Sequence, residues 1–144
     1  MIDRRAILEP LPALVLLTVV VAVVMFRRRV GEMRARRVHP QAVATAAQMA
    51  VRLDDTGPAD NFRNLFETPM LFVAALLTVY AAALTSLPYV ALAWAYVAVR
   101  VVHSAIHCTY NKVRHRFYAF FASLALLWVM WGMIAWDLIV LGRG

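Results

Sequence analysis

The sequence predicts an all-α integral membrane protein built as a bundle of four membrane-spanning helices. Hydrophobic residues make up 63% of its 144 residues, whereas about half is usual for a soluble domain. They are concentrated in four runs, at about residues 7–26, 65–87, 89–107 and 117–141. Each run is about long enough to cross a hydrocarbon core of about 30 Å at about 1.5 Å per residue. We therefore expect a single transmembrane domain over residues 1–144, with no separate soluble domain.

The first two runs differ in how clearly they begin. The first contains only Thr18 as a polar residue between positions 11 and 26, and it needs residues 7–10 to reach full length. The second has Glu67 and Pro69 at its start. Proline is tolerated in the first turn of a helix and kinks a helix interior. The second helix therefore either starts late, just before Pro69, or is kinked there.

The third and fourth runs carry the unusual polar residues. The third is apolar except for Arg100, His103 and Ser104, and the fourth has Asp137 near its end. A tight hairpin is expected between the second and third runs. Residues 41–53, in the long connection after the first run, have the pattern of a short amphipathic helix that lies on the membrane surface or covers a site.

The basic residues predict the orientation of the bundle. Of 15 lysines and arginines, most lie in the two connections after the first and third runs, and only Arg4, Arg5 and Arg143 fall on the other side. Short loops rich in Lys and Arg stay in the cytoplasm. We expect both termini outside, both basic loops cytoplasmic, and a bacterial inner membrane as the location. The net charge of +7 then indicates lipid headgroups as the partner and not nucleic acid.

Polar side chains form a stripe along the third span. At about 100° per residue, Tyr96, Arg100, His103 and His107 lie on one helical face, and Tyr110 and Arg114 join them if the helix continues. Facing lipid, a guanidinium costs several kcal/mol. The stripe must therefore face protein or a water-filled cavity. One interpretation is a polar pocket for a ligand, and the other is an ion pair between Arg100 and a carboxylate.

The second span offers partners for this stripe. In DNFRNLFETP, the spacing places Asp60, Arg63, Asn64 and Glu67 on one helical face, and Glu67 could approach Arg100. Arginine binds carboxylates bidentately, a glutamate binds an ammonium group, and asparagine both donates and accepts. These residue types suit a ligand with carboxylates and an ammonium group, held beside lipid.

Three short segments carry a resemblance to a known family. VGEMRARRVHP is similar to a G-x-V-R-x-R-K-x stretch, RNLFETP to R-N-x-x-E-x-x-P, and RVVHSAIH to R-V-x-H-x-x-x-Y. In this order the chain resembles the MAPEG superfamily, the membrane-associated proteins in eicosanoid and glutathione metabolism. That superfamily includes the microsomal glutathione transferases and a microsomal prostaglandin E synthase. The resemblance runs over nearly the whole chain.

The resemblance implies a homotrimer that binds glutathione between neighbouring subunits near the cytoplasmic face. The implied activity is a glutathione-dependent transferase or peroxidase acting on a lipophilic electrophile. Arg116 is the residue expected to stabilise the thiolate. His107, Ser104 or Tyr110 would assist it. The residues expected to bind the rest of glutathione are Arg34, Arg63, Asn64, Glu67, Arg100 and His103.

The sequence departs from the family pattern at three positions. Asp60 stands where the family has a binding arginine, Phe62 where it has a histidine, and His107 where it has a tyrosine. Whether these residues abolish glutathione use stays open. The alternatives are a non-catalytic membrane protein of this fold that binds another ligand or serves as an interaction module, a metal or haem site on His103 and His107, and a channel along a trimer axis.

Overall fold

Every secondary-structure element in the part that the structure describes is a helix. A computed structural model describes residues 2–141, without the side chain of Leu141, so the predicted place of Arg143 lies outside the described residues. The helices, in chain order, are a 3-10 helix Arg4–Leu8, α1 Pro10–Ala35, a 3-10 helix Pro40–Val43, α2 Ala46–Arg52, α3 Gly57–Asn64, α4 Thr68–Ala81, α5 Leu87–Cys108 and α6 Val113–Leu141. The prediction of an all-α protein is confirmed.

Among the residues that the structure describes, four stretches are long and apolar enough to cross a membrane, as the sequence predicts. They are Arg4–Ala35, Gly57–Ala81, Leu87–Cys108 and Val113–Val140. The first helix continues well beyond the predicted end at residue 26, through an arginine-rich segment, since arginine is a good helix former. The fourth helix begins at Val113 and not at 117, because only a short turn separates it from α5.

The second span is broken into two helices. α3 ends at Asn64, and α4 begins at Thr68 with Pro69 in its first turn, which is the late start that the sequence allowed. Glu67 precedes α4 with φ −96° and ψ −97°, outside helical geometry. The break rotates α4 relative to α3. The expectation of one continuous helical face from Asp60 to Glu67 is therefore wrong.

The hydrophobic core lies towards one end of the bundle. We call this the hairpin end, defined by Arg4–Leu8 and the connection 82–86; the opposite end, with the connections 36–56 and 109–112, is the loop end. The buried core side chains come from the 3-10 helix Arg4–Leu8, α1, α4, α5 and α6: Ile7, Leu14, Phe72, Ala75, Leu76, Val79, Tyr89, Ala93, Tyr96, Val97, Leu127, Met130 and Ile134.

Polar groups at the hairpin end are paired. Arg4 donates from Nε to the carbonyl of Tyr80 at 2.8 Å and from a terminal nitrogen to the carbonyl of Ala81 at 3.1 Å. These carbonyls belong to the last turn of α4, where helices leave acceptors unsatisfied. Tyr89, 1% exposed, donates to Asp137 at 2.7 Å. Arg4 therefore attaches the 3-10 helix Arg4–Leu8 to the end of α4, and Tyr89 attaches α5 to α6.

The connection after α1 is anchored to that helix by ion pairs. Arg36 contacts Glu32 at 3.1 Å and also bonds Asp54, while Glu32 accepts from the backbone N–H of Asp54 at 2.8 Å. The hydrogen bond with Asp54 is the main cause of a raised pKa at Arg36. The predicted helix over 41–53 is instead divided into a 3-10 helix and α2. Thr45 and Gln48 cap α2 reciprocally.

Candidate functional site

Arg100 is completely buried in the protein interior. Its relative exposure is 0%, and one terminal nitrogen donates to the backbone carbonyl of Asn64 at 3.0 Å. The Nε and the other terminal nitrogen have no hydrogen-bond partner within the described residues. No salt bridge joins Arg100 to a carboxylate there, and Glu67 is exposed at the start of α4. The ion pair that the sequence offered as the simpler explanation of Arg100 is not formed.

The two histidines of the stripe both hold Arg116. His103 Nδ1 lies 3.2 Å from the carbonyl oxygen of Arg116, so this nitrogen donates. His107 Nε2 lies 2.9 Å from the Arg116 guanidinium, and because arginine only donates, this nitrogen accepts. His107 is therefore neutral, with its proton on Nδ1. One histidine fixes the backbone of Arg116 and the other its side chain.

Arg116 lies beside a small cavity at the loop end. The same terminal nitrogen that bonds His107 also donates to Asn111 at 2.9 Å. Asn111 adopts φ 46°, a left-handed conformation that asparagine tolerates better than most residues, and this turn brings α6 back against α5. The cavity has a volume of about 250 Å³, and its lining residues are Asn64, His103, Val113, Arg116, Phe117 and Phe120.

Ser104, which was expected to assist Arg116 at the thiolate, instead makes a hydrogen bond to α3 and does not line the small cavity. It donates to Asn61 at 3.3 Å, and Asn61 donates to the sulfur of Cys108 at 3.4 Å. These buried groups join α5 to α3. A side chain at Gly57 would place a Cβ only 2.9 Å from the carbonyl oxygen of His107, so α3 also approaches α5 closely at its first residue. Asn61 was not among the predicted site residues, although a polar residue one turn after Gly57 was a signal for this contact.

Several predicted site residues lie away from the small cavity. Tyr110 is 59% exposed and contacts His115 at 3.1 Å. The condition under which Tyr110 and Arg114 would join the α5 stripe is not met, because α5 ends at Cys108. Arg34 is exposed on α1. Arg63 is exposed beside Asp60, at 3.9 Å, and lines a second, larger cavity.

The histidine pair does not form a metal centre in the described part of the chain. No group of three or more His, Cys, Asp or Glu residues is placed to hold an ion there. The Arg116 guanidinium also occupies His107 Nε2, and its charge opposes a cation at that nitrogen. The chemistry of these donors suits an anion.

Fold and site together define a helical membrane protein with four candidate spans and a buried basic site at one end of the bundle. The chain belongs to the MAPEG family, whose model matches residues 7–136. The family resemblance drawn from the sequence motifs is confirmed. The family suggests a membrane protein of glutathione and eicosanoid metabolism. No curated protein and no solved structure shows significant similarity to the chain.

Proposed function

We propose that the protein is a membrane-embedded glutathione-dependent transferase or peroxidase acting on a lipophilic electrophile, with Arg116 stabilising the glutathione thiolate. The observation that carries this proposal is the position of Arg116. It lines a small cavity and is held by His103, His107 and Asn111. Membership of the MAPEG family supports glutathione as the thiol.

The fixed guanidinium is suited to stabilising a thiolate. Within the described residues, protein partners use only one terminal nitrogen of Arg116, so the Nε and the other terminal nitrogen can donate to a sulfur anion. A cation and hydrogen-bond donors beside a thiol lower its pKa from about 8.5. Val113, Phe117 and Phe120 supply an apolar wall for the lipophilic substrate. With an electrophilic carbon, the thiolate would form a new S–C bond while the bond from that carbon to its leaving group breaks and the leaving group takes the electron pair. With a lipid hydroperoxide, the thiolate would attack the terminal oxygen, so that the O–O bond breaks and the alkoxide takes up a proton to become the alcohol. A second glutathione would then convert the glutathione sulfenic acid to the disulfide and water.

His107 acts as a positioning residue in this arrangement. Its Nε2 accepts from Arg116 and therefore has no proton to give to a thiolate. His107, which stands where the family has a tyrosine, was expected to assist Arg116 in stabilising the thiolate. Here we assign that task to Arg116 alone, with His107 orienting it. The departure from the family pattern is thus compatible with thiol activation.

The remainder of glutathione requires residues that one protomer does not bring to the cavity. Asn64 lines it and Glu67 is exposed nearby in sequence, which suits them to the γ-glutamyl end. Arg34 and Arg63 do not line it. We propose that a neighbouring subunit of a homotrimer supplies these arginines, with both basic loops cytoplasmic in a bacterial inner membrane. Arg100 would act through Asn64, whose backbone carbonyl it holds.

Calorimetric titration of the detergent-purified protein with glutathione tests the proposal. Titrations in two buffers of different ionisation enthalpy measure the protons released on binding. We expect saturable binding with proton release for the wild type, and binding without proton release for Arg116→Gln. Arg114→Gln is the matched control, because Arg114 is an exposed arginine on the same helix outside the cavity lining.

Two outcomes would overturn the proposal. Absence of binding by a well-folded wild-type oligomer would exclude glutathione and favour a non-catalytic protein that binds another ligand or serves as an interaction module. Equal proton release by Arg116→Gln would show that a different group activates the thiol. Cross-linking of the same preparation tests the trimer separately.

A further inference from the structure

The larger cavity lies at the loop end, between α1, α2 and α3. Its volume is about 750 Å³, within the range of small-molecule sites. It shares none of its lining residues with the cavity beside Arg116. Different residues of α3 face the two sides: Asn61 contacts α5, whereas Phe62 and Arg63 line the larger cavity. This space is therefore not the proposed thiol site.

Apolar side chains dominate the lining of the larger cavity. α2 presents one face to it, at spacings of three and four residues, through Ala46, Met49 and Ala50, and the buried Leu53 follows directly after the helix. Opposite them are Met25, Phe62 and Phe66, together with Pro58 and Ala59. α2 has no buried residue, so its apolar face covers space and does not pack into a core. Such a lining suits the acyl chain of an amphiphile.

The charged residues of the lining leave one cation without a partner. Arg63 pairs with Asp60, and Asp55 pairs with Arg28, which is outside the lining. Arg29 is half-buried and forms no salt bridge within the described residues. A partly buried guanidinium next to an apolar space is stabilised by an anionic head group. Met25 and Arg29 lie one helical turn apart on α1. An acyl chain beside Met25 can therefore have its anionic head group beside Arg29.

We propose that this cavity binds an amphiphile with an acyl chain and an anionic head, such as a fatty-acid carboxylate or a phospholipid phosphate. The head group contacts Arg29, and the chain lies between the apolar face of α2 and Phe62 and Phe66. The site is independent of glutathione binding, since it rests on different residues.

Native mass spectrometry of the purified oligomer tests this proposal with oleate, oleyl alcohol and phosphatidylglycerol as probes. We expect one oleate or one phosphatidylglycerol retained per protomer, and about tenfold weaker retention of oleyl alcohol, which lacks the charge. Preference between the two anionic probes distinguishes a free fatty acid from a bilayer lipid as the source.

Two pairs of matched variants locate the site. Arg29→Gln removes the unpaired cation, and Arg27→Gln removes an exposed arginine from the same helix outside the lining. Ala50→Phe fills the cavity, and Ala47→Phe adds the same bulk to α2 away from it. We expect about tenfold weaker retention in Arg29→Gln and Ala50→Phe, and wild-type retention in both controls and in Arg116→Gln.

The result that would overturn the proposal is equal retention in all variants, which would mean non-specific partition into the protein–detergent complex. Oleyl alcohol held as tightly as oleate would contradict the role of Arg29. Absence of retention of all three probes by the wild type would remove the site. Far-UV circular dichroism and size-exclusion chromatography of each variant establish that weaker retention is not caused by unfolding.

Discussion

The two ends of the bundle differ in how completely their polar groups are paired. At the hairpin end, Tyr89 donates to Asp137 and Arg4 satisfies the last carbonyls of α4. From the bundle centre towards the loop end, six buried polar atoms have no partner within the described residues: Thr68 Oγ1, Tyr96 OH, Arg100 Nε and one terminal nitrogen, His103 Nε2 and His107 Nδ1. Unpaired buried groups cost stability. The polar groups at the hairpin end therefore stabilise the fold, whereas polar atoms towards the loop end have no partner within the described residues, as the proposed ligand site requires.

The largest expected effect follows from the role proposed for Arg116. Arg116→Gln should lower the conjugation rate with a small aryl halide by about a hundredfold, as does the loss of a donor that stabilises a developing anion. Its thermal unfolding should change little, since Arg116 is only half-buried. Steady-state assays with glutathione measure the rate. A comparable loss in the control Arg114→Gln would mean that general surface charge, and not the cavity, carries the effect.

Arg100→Met is expected to weaken glutathione binding while leaving the stability of the fold unchanged or raised. Replacing a buried charge with an apolar side chain of similar volume is often neutral or stabilising by about 1–4 kcal/mol. Glutathione binding should weaken, because the Asn64 carbonyl loses its donor. Thermal unfolding in detergent, followed by tryptophan fluorescence, measures the first effect and calorimetry the second. A marked loss of stability in Arg100→Met would show that Arg100 is paired within the folded protein.

Gly57→Ala tests the contact between α3 and α5. The added Cβ would lie 2.9 Å from a backbone oxygen, so we expect a loss of about 1–3 kcal/mol from overpacking. Gly31→Ala is the matched control, since nothing lies within 4 Å of its added Cβ and alanine favours a helix by about 1 kcal/mol. Equal thermal stability of the two variants would contradict the close approach.

The smallest expected effect is at the hairpin end. Asp137→Ala leaves the buried Tyr89 hydroxyl without its acceptor, and hydrogen bonds between membrane helices contribute about 1 kcal/mol. The midpoint of thermal unfolding should fall slightly while the conjugation rate stays the same. Glu9→Ala, which removes an exposed carboxylate, is the control. A loss of activity in Asp137→Ala would contradict the conclusion that contacts at the hairpin end do not affect the site at the loop end.

The order of the spans was predictable because it depends on long apolar runs, which respond to the bilayer alone. Arg100 was identifiable as a buried residue for the same reason. The break at residues 65–67 was harder to predict, since Pro69 is compatible with both a kink and a late helix start. That break changes the direction in which Glu67 points relative to Asn64.

The roles within the site were less accessible from sequence. His103 and His107 have the spacing of ligand residues on one helical face, yet both contact Arg116, which follows a turn. Helical periodicity does not extend across that turn, so no spacing rule connects them. For the same reason Tyr110 was placed on a stripe that ends at Cys108.

The burial of Cys108 makes the junction between α3 and α5 measurable. It is the chain's only cysteine, it is 8% exposed, and Asn61 donates to its sulfur. A thiol reagent can therefore reach the Cys108 sulfur only after α3 moves away from α5. The labelling rate of the unmodified protein reports how often this junction opens, and its change with S-methylglutathione, which has no free thiol to consume the reagent, shows whether ligand binding keeps the junction closed.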